Sequence, residues 1–170
     1  DGGNLLLTSS EVEDLGLSHD QRDAYIRPVF GSAEFIRGIQ RYCLWITDEH
    51  AEEAGMIPSV LARIEAVREM RLASSKEATR AGASNPHRFD ELRQIGGELV
   101  IAVPRVSSET RNYLPCGFLP EQSIVTDSTF ALYDAPLWNM ALIASRIHLV
   151  WIATVCGKLK TDFRYSNTLG

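Results

Sequence analysis

The run Leu137-Trp138-Asn139-Met140-Ala141-Leu142-Ile143-Ala144-Ser145-Arg146-Ile147-His148-Leu149-Val150-Trp151-Ile152-Ala153-Thr154-Val155-Cys156 is the longest apolar segment in a chain of 170 residues. Its length alone allows a bilayer span. Asn139, Ser145, Arg146, His148 and Thr154 interrupt it, however, and polar groups at that density are costly in hydrocarbon. The segment therefore predicts one long helix buried in a soluble core, begun at Pro136 and ended by Gly157. Upstream, from Glu98, the texture is different. Leu99–Val103, Asn112–Leu119, Ser123–Thr126 and Phe130–Tyr133 read as strands with Pro and Gly between them, and Leu159–Tyr165 reads as a last strand. Short N-terminal helices, a β-rich middle and one long buried helix near the C-terminus make an α+β pattern.

The first half supplies those short helices. Ser18 and Gln21 have capping-box spacing, which opens a helix through Tyr25 that Pro28 stops. Ser32 caps a turn over Ala33–Arg37 closed by Gly38, and Arg41–Thr47 reads as a buried strand. Pro58 suits the first turn of a helix reaching about Leu72, whose stripe is Val60, Leu61, Ile64, Val67 and Met70. Arg71 falls inside that stripe, so it is either paired internally or placed at the rim of a groove. Ser74 to Pro86 reads as a short helix and an exposed loop, with Lys76 and Arg80 four residues apart.

Composition narrows the class. With 45% hydrophobic and 23% charged residues, the chain suits an ordinary globular core and excludes collagen-like or natively disordered sequence. Cys43, Cys116 and Cys156 are three in number and widely spaced, which implies no disulfide framework and fits a reduced, cytoplasmic setting. The start Asp1-Gly2-Gly3-Asn4 has no signal-peptide character, and no membrane partner is expected. The net charge of -5 is unevenly spread: residues 1–55 hold eleven acids and four bases, whereas residues 113–170 hold four of each. Of seventeen bases fourteen are Arg, the side chain suited to bidentate contact with phosphate or guanine.

Catalytic signatures fail one by one. Asn85-Pro86-His87 and Asp134-Ala135-Pro136-Leu137 both depart from the Asn/Asp/Ser-Pro-Pro-aromatic turn that binds an exocyclic amine. No glycine-rich turn follows a strand in a βαβ unit, and no lysine-bearing phosphate loop is present. His148 and Cys156 are eight residues apart on one predicted helix, roughly 12 Å along its axis, too far for a thiol–imidazole pair. No Cys or His pair has metal-ligand spacing. The three cysteines, His148, Trp45, Trp138 and Trp151 read as core residues.

Three separated runs carry a family resemblance. They are Tyr25–Ile36 with Arg41–Trp45; Val103–Glu109 with Arg111–Gly117; and Ser145, His148, Trp151 with Val155–Ser166. In order and spacing they resemble the target recognition domain of MmeI-like restriction–modification enzymes and related DNA adenine methyltransferases, over nearly the whole of residues 1–170. The resemblance implies a module that binds double-stranded DNA and has no catalytic residues of its own. It implies that the methyltransferase domain, with its S-adenosylmethionine site, and any nuclease domain lie on polypeptide outside this chain. The methyltransferase domain of the same parent chain is then a second partner.

On that reading Arg105, Arg111 and Arg164 are the base-reading candidates, because one bidentate Arg–guanine contact discriminates by roughly 1–3 kcal/mol. Lys76, Arg80, Ser107, Ser108, Lys158 and Lys160 are the backbone candidates, with Tyr165, Ser166 and Asn167 extending the last strand beside them. Arg164 and Asp162 share a strand face and have the alternative of pairing with each other. A protein-interaction module, docking its acidic first third on a partner domain, is the alternative of another class.

Overall fold

The structure, a computed structural model, describes residues 1–91, 99–166 and 168. Among these the first half runs β1 (Leu6–Leu7), α1 (Ser9–Asp14), α2 (His19–Tyr25), β2 (Ile26–Phe30), α3 (Ser32–Arg37), β3 (Tyr42–Leu44), α4 (Ala51–Gly55), α5 (Pro58–Leu72) and α6 (Glu77–Ala81). The second runs β4 (Val100–Pro104), β5 (Val106–Ser107), β6 (Gly117–Leu119), β7 (Ile124–Val125), β8 (Thr129–Tyr133), α7 (Leu137–Ile143), α8 (Arg146–Val155), β9 (Lys158–Leu159) and β10 (Asp162–Arg164). The fold is α+β. The chain divides into two compact units, Asp1–Pro28 with Gln40–Gln94, and Val29–Ile39 with Ile95–Gly170.

In the first unit the capping boxes form as the sequence requires. The Ser18 hydroxyl accepts from the Gln21 N–H while Gln21 accepts from the Ser18 N–H. Thr8 and Glu11 make a second box ahead of α1. Strand β3 pairs antiparallel with β1 and with the first half of β2, Leu6 opposite Cys43 and Arg27 opposite Cys43 on the other side. Helix α5 covers the predicted span and buries Val60, Ile64 and Val67 against Leu5, Leu7, Leu17, Tyr25 and Leu44. Leu61, expected in that stripe, is 40% exposed.

Arg71 continues the buried stripe one turn past Val67 and is 1% exposed. Its guanidinium donates to the carbonyls of Gly82 and Asn85 at 2.8 Å and of Arg88 at 2.7 Å, and lies 3.0 Å from the Asp90 carboxylate. Internal pairing therefore resolves its two alternatives. One arginine ties the return from α6 to Asp90 together by donating to three carbonyls along it.

The second unit is built around β4, the central strand of the sheet β6-β4-β8, with all five residues buried. Strand periodicity divides its side chains between two cores. Val100 and Ala102 pack with Leu119, Phe30 and Phe35, and Ile101 and Val103 pack with Leu114, Ile143 and Ile152. Gly31 sits where a Cβ would lie 2.7 Å from the Glu34 carboxylate and the Thr126 hydroxyl, so a larger residue there would have to displace these groups. The Ser32 N–H donates to the Ser128 hydroxyl at 2.9 Å, and the Ser32 hydroxyl donates to the Ser128 carbonyl.

Four expectations are corrected here. The long C-terminal helix is two helices, α7 and α8, bent by 58°, because the Ser145 hydroxyl caps α8 by accepting from the His148 N–H at 3.1 Å. No single described helix is long and apolar enough to cross a membrane. Trp138 and Trp151 are 60% and 55% exposed rather than core residues. The strand Leu159–Tyr165 is a hairpin, β9 to β10, that turns at Lys160 with φ 57°. Asn112–Leu119 forms a strand only from Gly117.

Two stability predictions follow. Replacing the buried Arg71 with Ala removes the donor from three part-buried carbonyls and leaves a space in the core, and Arg71→Ala is expected to lower the unfolding free energy by roughly 3 kcal/mol, read from urea titration, with Arg71→Lys restoring only part. Glu11 accepts from the Thr8 N–H and from Arg63, which holds its carboxyl at about 2 against an ordinary 4.5. A depressed carboxylate stabilises the fold above its unfolded value and loses that contribution as pH falls toward the folded one. The urea midpoint is expected to fall between about pH 5 and 2, and to fall less in Glu11→Gln.

Candidate nucleic-acid interface

Strands β5, β10 and β9 form a three-stranded antiparallel sheet in the second unit, with Arg164 opposite Val106, Phe163 opposite Ser107 and also opposite Lys158, and Asp162 opposite Leu159. Opposed residues share a face. One face therefore carries Arg164, Val106, Asp162 and Leu159, and Leu159 is 52% exposed. The other carries Phe163, Ser107 and Lys158, and Phe163 and Tyr165 on that side pack into the Ile101–Val103 core.

This sheet gathers most of the sequence-derived candidates. Arg105 enters it with its N–H donating to the Ser128 carbonyl at 3.0 Å and its carbonyl accepting from the Tyr165 N–H at 2.8 Å. Its guanidinium lies over the Phe130 ring at 4.6 Å from the centroid, a cation–π contact that orients the fork while leaving its N–H donors free. Phe130 in turn meets Tyr165 edge-on at 5.5 Å, and Tyr165 lies 5.7 Å from the His148 ring. Arg111 and Arg164 are exposed and, among the described residues, their side chains have no partner. Arg164 thus does not pair with Asp162.

The backbone candidates divide. Lys160 stands exposed at the hairpin tip. Lys158 is held 3.3 Å from Glu109 and 5.6 Å from the Phe163 ring, so part of its charge is already matched. The Ser108 hydroxyl is shared with Thr110, and that of Ser166 with Thr168, at 2.9 Å each. Ser107 is only 3% exposed, which removes its hydroxyl from surface contact and corrects that expectation. Its register opposite the inward Phe163 is the reason. Lys76 and Arg80 belong to the first unit, and Arg80 donates to the carbonyls of Ser74 and Ser75 at 2.9 Å. Asn167 lies outside the described residues.

The sequence reading missed Phe130 and Glu109. Phe130 reaches Arg105 because β8 opposes it to Val103, two residues before Arg105, across a separation no local motif records.

Charge and reactivity bear on the chemistry. The first unit holds fifteen acids and ten bases and the second seven of each, so the net acidity belongs to the first unit and the arginine-bearing sheet to the charge-balanced second. Burial pushes the Cys43 thiol up to about 12, which disqualifies it as a nucleophile. Burial lowers the His148 value, favouring the neutral ring. Among the described residues no cluster of His, Cys, Asp and Glu is arranged to hold a metal.

The chain matches the MmeI target recognition domain over residues 1–170 and belongs to that family. DNA methyltransferase A of Bacillus subtilis (strain 168) is 34% identical over 166 residues, which cover 98% of this chain and 19% of that protein. The solved structure of the type IIL restriction-modification enzyme MmeI in complex with DNA superposes with a TM-score of 0.88 at 34% identity, covering 99% of this chain and 22% of that one. The chain therefore spans about a fifth of the length of these relatives.

The buried Ser107 hydroxyl has no hydrogen-bond partner among the described residues. An unmatched buried hydroxyl opposes folding. Ser107→Ala is accordingly expected to hold or raise the thermal midpoint, and a fall of several degrees in a melting curve would contradict this.

Proposed function

We propose that this chain binds double-stranded DNA sequence-specifically, as the target recognition domain of an S-adenosylmethionine-dependent DNA adenine methyltransferase of the type II restriction–modification class. The methyltransferase domain, the cofactor site and any nuclease belong to the rest of the parent chain, in the cytoplasm. The observation that carries the reading is the sheet β5-β10-β9, which collects Arg105 and Arg164 with Lys160 at its tip and Arg111 a few residues beyond β5, within a chain that matches the family throughout.

The physical roles follow from the geometry. A methylating enzyme must extrude the target base, at a cost of a few kcal/mol, while the flanking duplex is held in register. Phosphate contacts supply grip and base-edge contacts supply sequence. Arg105, pre-oriented on Phe130, loses little side-chain freedom on binding, which favours a directional bidentate contact. Arg111 and Arg164 have unspent donors for the same work. Lys160, a mobile point charge on a hairpin tip, suits a phosphate. Ser108, Lys158, Tyr165, Ser166 and Asn167 stay in the proposed interface beside them. Lys76 and Arg80 are assigned a phosphate role from the first unit, and Ser107 none.

In the full-length enzyme, Arg105→Ala, Arg111→Ala and Arg164→Ala are each expected to cost roughly 1–3 kcal/mol of discrimination at one base pair, relaxing the pattern of methylated sites. Lys160→Ala is expected to weaken binding to all sequences alike and to reduce the log–log salt slope by about 0.9. Wild-type methylation patterns in all three arginine variants, together with salt-independent binding, would overturn the reading.

A further inference from the structure

Helix α8 carries apolar side chains on its outer side as well as its inner one. Its inward residues Leu149 and Ile152 pack on the second unit's core, as does Met140 of α7. Outward, Ile147 is 85% and Val150 63% exposed, with Thr154 one turn on, so the outer stripe follows the same helical spacing as the inner one. Helix α7 adds Leu137, Trp138 and Leu142, each more than half exposed. Arg146 is the one charged residue between Leu137 and Val155. A phosphate-binding surface needs lysines and arginines, so this face does not suit DNA. A patch of this kind marks an interaction surface.

We propose that the outer face of α7 and α8 docks on an apolar surface of the same parent polypeptide, outside residues 1–170. The length of the relatives selects that occupant. They are about five times as long as this chain, which makes up 19% and 22% of them, so a tethered neighbour belongs to proteins of this kind. A segment tethered in the same chain meets the face at a high effective concentration that a separate molecule does not reach. Docking there would hold the reading sheet, in the same unit, in a defined register with the polypeptide that carries the reaction. The proposal rests on the family membership and not on which residues read bases.

The test uses the full-length parent protein with Ile147 replaced by the photoreactive p-benzoylphenylalanine, irradiated and mapped by mass spectrometry. The expected result is an intramolecular adduct to a residue outside the 170-residue segment, independent of protein concentration. Adducts between two copies, adducts within residues 1–170, adducts to lipid when phosphatidylglycerol vesicles are present, or no adduct would each overturn it. As a second measurement, the double variant Ile147→Glu with Val150→Glu is expected to speed amide exchange in residues 146–155 at least 10-fold, and unchanged exchange would overturn the proposal. The salt slope of DNA binding, measured on the same photoreactive sample, separates the two readings: its loss counts against DNA recognition and leaves the docking result standing.

Discussion

The second unit depends on a strand with no solvent face. Val100–Pro104 is buried along its length, and alternate side chains serve two cores, Val100 and Ala102 on one side and Ile101 and Val103 on the other. Such a strand has one tolerable register, because a slip by one residue would exchange the two sets. That constraint propagates. Pairing with β8 brings Phe130 opposite Val103, the chain leaves β4 through Arg105, and the arginine meets the aromatic ring waiting across the sheet. Strand β10 then adds to β5 in the register that turns Phe163 inward and Arg164 outward. The geometry of the exposed arginines is thus a consequence of how an apolar strand is packed.

Arginine does two different jobs in this chain. Arg71 and Arg63 are committed internally, Arg71 to three carbonyls and Asp90, Arg63 to the Asn4 carbonyl and Glu11. Both exploit the planar fork to tie irregular backbone that a lysine would hold less well. Arg105, Arg111 and Arg164 are left exposed, and Arg105 is oriented by a ring rather than neutralised by a carboxylate. An arginine stacked on an aromatic keeps its hydrogen-bond donors for a partner, which an ion-paired one does not. The same sequence excess of Arg over Lys therefore supports the scaffold in one unit and is left exposed in the other.

The helix pair α7–α8 shows why an apolar run does not by itself identify a core. Its composition says that water is unfavourable around it, but not what excludes the water. One side meets this unit's own core, and the outer side keeps its apolar character without a charged complement. An apolar patch on a water-facing helix is the mark of an interaction surface rather than of a core.

Local chemistry was legible from the residues alone. The box Ser18–Gln21, the opening of α5 at Pro58, the closure of α3 by Gly38 in the left-handed region, and the α+β mixture all follow from interactions within a few residues of one another. Family membership was legible too, since three ordered runs outweigh any single motif. Tertiary structure decided what depends on distant partners: the turn at Lys160 where no glycine or proline announces it, the burial of Ser107 and the aromatic seat of Arg105. A capping serine inside an apolar run and a serine beside a strand look alike in sequence. Whether each hydroxyl meets a backbone N–H, solvent or a closed core is set by the register of strands and helices far away along the chain, and that register is a property of the packed whole.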